Sequence, residues 1–166
     1  MTEKKKNLSE FTPFNLTSVE KIRIGIVVSE WNGHITDSLL EGAQEALTEQ
    51  GIIPENVVVM HVPGSFELPS AASMMLSSMP QIDAVICLGC IIQGETRHFE
   101  FIAQAVAQGI VNVSLKHDKP VLFGVLTCDT MQQAENRAGG KYGNKGVEAA
   151  ISCLKMIAFQ SNLHQH

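Results

Sequence analysis

The sequence predicts a doubly wound α/β/α sandwich around a central, mainly parallel four-stranded sheet. Short, continuous, β-branched apolar runs alternate with stretches of helical period, which implies a parallel sheet covered by helices on both faces. The chain has 166 residues, the length of one ordinary domain with one packed core. Right-handed crossovers between such strands leave ligand sites beyond the carboxyl ends of the strands.

Residues 1 to 20 form an N-terminal arm, polar and irregular, with Lys4, Lys5 and Lys6, Pro13 and the scattered hydrophobes Leu8, Phe11, Phe14 and Leu16. Two readings stand open: an arm that buries those hydrophobes on a neighbouring subunit, or a disordered tail. Residues 21–166 carry the regular pattern. Ile22 to Val28 reads as the first strand, and Ile35, Leu39, Leu40, Ala43, Ala46 and Leu47 follow at helical spacing, closed by Gly51. Val57 to Val62 then precedes a helix near Leu68 to Ser77, and Ala84 to Ile92 precedes one from about Arg97 to Leu115. Val121 to Thr127, after Pro120, is the fourth strand. A short helix near Met131 to Arg137 and a longer one from about Lys145 to Asn162 complete the chain. The strand ends to search are therefore Ser29 to Gly33, Pro63 to Glu67, Gln93 to His98 and Cys128 to Thr130.

Composition narrows the class of partner. A net charge of -5 offers no general attraction to nucleic acid or to an anionic membrane. No apolar run has the length of a signal peptide core or a membrane helix, so a cytoplasmic protein is expected. Only 17% of residues are charged against 45% hydrophobic, so part of the exterior is expected to lie under other subunits. Cys87 and Cys90 form a C-x-x-C inside a strand, where residues three apart face opposite ways; they read as buried thiols together with Cys128 and Cys153.

The chemistry concentrates in four places. Gly94, Glu95, Thr96, Arg97 and His98 leave the third strand and open a long helix, where free N–H groups and the helix dipole favour an anion. Thr96 either holds a phosphate oxygen or caps the helix. His98 is either a proton donor and acceptor near neutral pH or a solvated residue at a helix start; His34, His61, His117, His164 and His166 carry less. The turn Pro63, Gly64, Ser65, Phe66, Glu67 either holds a polyhydroxyl chain or is an ordinary Pro-Gly turn with an acid in the first helical turn. Trp31, just past the first strand, either stacks on a flat ligand or packs on a neighbouring loop. Arg137 and the glycine-rich stretch Ala138 to Gly146 could clamp an anion. That stretch is not a phosphate loop, because Gly146 follows Lys145 and no strand precedes it.

In chain order, the loop Trp31-Asn32, the turn Val62 to Glu67, the segment Leu88 to Phe99, the strand Pro120 to Thr127 and the stretch Glu135 to Gly146, ending Gly-Asn-Lys-Gly, resemble lumazine synthases. The resemblance spans about Ile22 to Met156. It implies a flavodoxin-like strand order, with the N-terminal arm adding a strand to a neighbouring subunit. It also implies an enzyme, a transferase that condenses 5-amino-6-ribitylaminouracil with 3,4-dihydroxy-2-butanone 4-phosphate. The products are 6,7-dimethyl-8-ribityllumazine, phosphate and water, in the penultimate step of riboflavin biosynthesis, without cofactor or metal. By the same resemblance Trp31 stacks on the pyrimidine, while Ser65, Phe66 and Glu67 line the ribityl chain and ring. Ile91 and Ile92 border the pyrimidine. Gly94, Glu95 and Thr96 hold the phosphate, His98 is the acid/base histidine, and Lys145 is a basic residue near the site. Phe123 and Arg137 come from the adjacent subunit.

The family assembles as pentamers, some forming 60-subunit icosahedral shells, and the short turn between Arg137 and Asn144 resembles the shell formers. Gln93, where many members have a basic residue, and Glu95, where many have a small one, lower the positive potential, so a weaker hold on the ketone phosphate is expected. Two rivals remain: a flavin-binding or storage module, favoured by Trp31, and a shell protein with a vestigial pocket. The set Thr96, His98 and Arg137 favours catalysis, because flavin binding needs no phosphate clamp beside a proton donor.

Overall fold

The computed structural model describes Asn7 and residues 9–164, so Lys4, Lys5, Lys6, Leu8 and His166 lie outside the described residues. Strands β1 (Ile24–Ser29), β2 (Val57–Val62), β3 (Ala84–Ile92) and β4 (Val121–Cys128) form one sheet in the order β2-β1-β3-β4, every pair parallel. Helices α1 (Gly33–Glu49), α2 (Leu68–Ser78), α3 (His98–His117), α4 (Met131–Arg137) and α5 (Lys145–Leu163) cover it. The doubly wound sandwich expected from the alternation is therefore the observed fold, with the flavodoxin-like strand order.

The two faces are legible in β3. Ala84, Ile86, Leu88 and Cys90 join the apolar cluster with Leu39 and Leu47 of α1 and Leu154 of α5. Val85, Cys87 and Ile91 join the other cluster, with Leu76 of α2 and Val106 of α3. Adjacent residues of a strand point to opposite faces, so a strand buried on both must be apolar throughout. The C-x-x-C splits in the same way, Cys87 to one face and Cys90 to the other.

Three boundaries differ from expectation. The first strand begins at Ile24 because Val19–Lys21 makes a single 3-10 turn first. A 3-10 turn at Ser65–Glu67 leads into α2. The glycine-rich stretch holds a small antiparallel hairpin, β5 (Ala138–Gly140) and β6 (Gly143–Asn144), with Gly139 and Gly143 at φ 102° and 89°, values that favour glycine. Residues 9 to 18 of the arm contain no strand. Phe14 and Leu16 rest against the α1 and α5 side of their own core, and Ser9 Oγ accepts from Asn144 N–H at 2.6 Å.

All four thiols are free and buried. Burial pushes Cys87 and Cys90 up to about 12 from 9.0, and raises Cys153 as well. An Ellman-type reagent at pH 8 is therefore expected to leave Cys87 and Cys153 unlabelled in the native protein and to label them in guanidinium. For Cys87 the stability contribution is complete below pH 9.0 and is lost as pH rises towards about 12, since the unfolded thiol ionises first. Rapid native labelling of either residue would contradict the packing.

Candidate active site

The carboxyl ends of β1, β2 and β3 are tied together by backbone and amide bonds. Past β1, Glu30 N–H donates to Val62 C=O at 2.8 Å and Trp31 N–H to Pro63 C=O at 3.1 Å, so the two loops run side by side. Asn32 adopts a left-handed conformation, φ 60°, and its carboxamide donates to Cys90 C=O at 3.0 Å. That reach across to β3 turns the chain into α1 and leaves Trp31 outside the core, 73% exposed. Thr36, in the first turn of α1, secures the turn by donating its hydroxyl to Ser29 C=O at 2.8 Å.

After β2 the 3-10 turn separates three neighbours. Ser65 is buried, Glu67 half-buried and Phe66 57% exposed. The hydroxyls of Ser65 and Ser29 both lie against Gly89, where a side-chain carbon would collide with Ser65 Oγ. Neither hydroxyl has a hydrogen-bond partner among the described residues. A buried hydroxyl without a partner is costly, which marks this corner as one that suits another hydroxyl-bearing group.

Strand β3 projects four residues beyond Leu88, which is aligned with Val28 of β1; Ile91 is buried and Ile92 half-buried. Gln93 N–H continues the ladder to Cys128 C=O at 2.8 Å. Residues 93–98 are all exposed. His98 begins α3, a helix of 20 residues, and Thr96 Oγ1 stands 3.5 Å from His98 N, a long hydrogen bond that leaves the Thr96 hydroxyl proton free to donate. Arg97 turns to Glu100 at 3.1 Å and to the Phe101 ring. Both partners of that ion pair are exposed, so it adds little.

A second group lies on α4, the hairpin and α5. Arg137 pairs with Glu148 at 2.7 Å and donates to Tyr142 C=O at 2.9 Å; Lys145 Nζ stands 3.4 Å from the same carboxylate. The guanidinium also acts on Cys128: burial raises that thiol, and Arg137 opposes the rise, which puts its field at the carboxyl end of β4. A guanidinium has five N–H donors, so these two bonds leave others for a ligand. Phe123 sits mid-strand opposite Cys87, five residues before Cys128 and so about 17 Å short of the carboxyl end.

One chain therefore brings Trp31, Ser65, Phe66, Glu67, Ile91, Ile92, Gly94, Glu95, Thr96 and His98 to one end of the sheet. It pairs Arg137 and Lys145 with Glu148, and it holds Phe123 short of the strand ends. Among the described residues no three His, Cys, Asp or Glu gather as a metal-holding group. Sequence reasoning missed Glu148, whose signal was its place one turn after Lys145, and Asn32 as the tie to β3. It also missed Asn144, which caps α5 by accepting from Gly146 N–H at 2.7 Å while donating to Ser38 C=O at 2.8 Å.

Residues 21–161 match the family model described as 6,7-dimethyl-8-ribityllumazine synthase. Proteins of that name resemble the chain closely. One from Parabacteroides distasonis is 50% identical over 94% of this chain and 97% of its own. One from Cytophaga hutchinsonii is 53% identical over 95% and 98%, and one from Porphyromonas gingivalis 48% over 93% and 95%.

Proposed function

Because the chain belongs to the 6,7-dimethyl-8-ribityllumazine synthase family, we propose that its two substrates meet at the open carboxyl end of β1, β2 and β3. The enzyme is a transferase of riboflavin biosynthesis. It condenses 5-amino-6-ribitylaminouracil with 3,4-dihydroxy-2-butanone 4-phosphate to 6,7-dimethyl-8-ribityllumazine, with loss of phosphate and water.

The observation that carries the site is the start of α3, where Thr96, the neighbouring peptide N–H groups and His98 stand exposed together beside the loops of Trp31 and Phe66. A phosphate there is stabilised by the helix dipole and by N–H donors already in place. Trp31 and Phe66 offer flat apolar faces to the pyrimidine, bordered by Ile91 and Ile92. The ribityl hydroxyls suit the corner of Ser65 and Glu67, where the buried hydroxyls of Ser29 and Ser65 have no partner among the described residues. His98 delivers a proton to the hydroxyl that leaves as the imine forms, and takes one from carbon as phosphate is eliminated. Gly94, Glu95 and Thr96 hold the departing phosphate and stabilise the charge that develops on it.

Trp31 and Phe66 stand on open surface, Arg137 and Lys145 are engaged by Glu148, and Phe123 lies short of the strand ends, a pattern that fits a second copy supplying those three residues. Met74 on α2 and Phe101, Val111 and Leu115 on α3 are exposed, apolar ground for contacts between copies. The protein then works as a homo-oligomer, a pentamer, with the short turn after Arg137 favouring the 60-subunit shell. Residues 1–20 are an arm, and 21–166 is the enzyme domain. Among the described residues no helix is long and apolar enough to cross a membrane. The substrates are small molecules, nucleic acid and membrane are not partners, and the cytoplasm is the expected compartment.

Mixing the purified protein with both substrates and following lumazine absorbance tests the activity; no lumazine would end the reading. Sedimentation velocity separates monomer, pentamer and shell. Arg137→Ala is expected to raise KM for the ketone phosphate about ten-fold, the scale of one hydrogen bond to a charged group, with KM for the amine little changed. An unchanged KM for the ketone would remove Arg137 from the clamp.

A further inference from the structure

The segment that meets the phosphate has no regular structure of its own, so something must hold its amides in place. Gln93 does this with one group. Its backbone N–H is fixed to Cys128 C=O at 2.8 Å, the last rung of the β3-β4 ladder. Its carboxamide nitrogen folds forward and donates to Gly94 C=O at 2.8 Å and to Thr96 C=O at 3.2 Å. In a trans peptide the C=O and the following N–H point in opposite directions. Drawing the carbonyls of Gly94 and Thr96 towards the carboxamide therefore turns the N–H groups of Glu95 and Arg97 the other way, side by side. Two amides aligned like this form an anion-binding concavity at the head of α3, with Thr96 the residue between Glu95 and Arg97 in the chain.

We propose that Gln93 is a positioning residue for the phosphate of the ketone substrate: it touches no substrate and acts by holding the amides of Glu95 and Arg97 in their binding orientation. The assignment rests on the phosphate site proposed above. It also revises the expectation that Gln93 only weakens the site by lacking charge. The cation is absent, but the carboxamide supplies order instead.

The test compares wild type with Gln93→Met, which keeps the length and loses the donors, and Gln93→Arg, which can reach the same two carbonyls. For Gln93→Met, KM for the ketone phosphate and the inhibition constant of inorganic phosphate are expected to rise together by about three- to ten-fold, the scale of one or two ordinary hydrogen bonds. KM for the amine and the melting temperature should stay at wild-type values, and Gln93→Arg should bind the ketone at least as well as wild type. Wild-type constants in Gln93→Met, an equal rise in KM for both substrates, or failure of Gln93→Arg to restore the ketone KM would each overturn the proposal. Lumazine formation by the wild-type protein is read in the same assays, so loss of the Gln93 assignment alone leaves the proposed function standing.

Discussion

His98→Ala is expected to lower kcat about a hundred-fold, the lower end of what a positioned acid or base contributes, with KM for either substrate changed much less. The residue is exposed at the first position of α3, and its backbone N–H faces Thr96 Oγ1, so the imidazole stands next to the proposed phosphate site without being part of its donor set. Removing the ring should therefore spare binding and slow the proton transfers. Residual turnover should persist, because holding the amine and the ketone together supplies a large share of the rate by itself. His98→Gln separates the roles, since glutamine can hydrogen-bond but cannot shuttle a proton near neutral pH. It should be as slow as the alanine variant. Steady-state lumazine formation decides the matter: full rate in either variant would show that the proton moves through another group or through water.

Gly146→Val should lower the melting temperature by about 6–12 °C, as expected of a loss of roughly 3 kcal/mol in a chain of this size. Gly146 is the second residue of α5, where a glycine would normally be a poor helix former. The reason for it lies on the other helix: a side-chain carbon at 146 would fall within the carbonyl group of Leu39 in α1 and press on the capping Asn144 side chain. Backbone cannot swing aside as a flexible side chain can, so α1 and α5 would have to part. The cap would loosen with them, and so would Glu148, which holds Arg137 from the first turn of the same helix. Loss of heat stability together with weaker ketone binding is the expected signature in circular dichroism and kinetics. A melting temperature within two degrees of wild type would show that the two helices are not packed this closely.

The Gly-Asn-Lys-Gly stretch illustrates what sequence reading can miss. From the sequence alone it suggests an anion clamp, because glycines beside lysine and arginine have that chemistry. The structure gives three of its four residues structural roles: Gly143 turns a hairpin at positive φ, Asn144 caps α5, and Gly146 lets two helices touch. Lys145 pairs with Glu148, which no motif had singled out. The same limit applies to Gln93, a residue that looked like a missing charge until its two carbonyl partners were seen.

The sequence by itself determined the sandwich and its four parallel strands, and pointed to the carboxyl end of the sheet as the place to look for a site. These follow from local periodicity, and a strand buried on both faces has to be apolar at every position, as β3 is from Ala84 to Ile91. It also supplied the chain-order resemblance from which the family and its reaction could be expected. Only the tertiary structure decided which of the candidate residues one chain can assemble. Trp31, Ser65, Phe66, Thr96 and His98 lie at ends of strands that are neighbours through β1, whereas Arg137 is held by Glu148 on a different helix and Phe123 sits mid-strand on the β4 edge. Such groupings depend on contacts between residues far apart in the chain, and neither spacing nor composition encodes those distances.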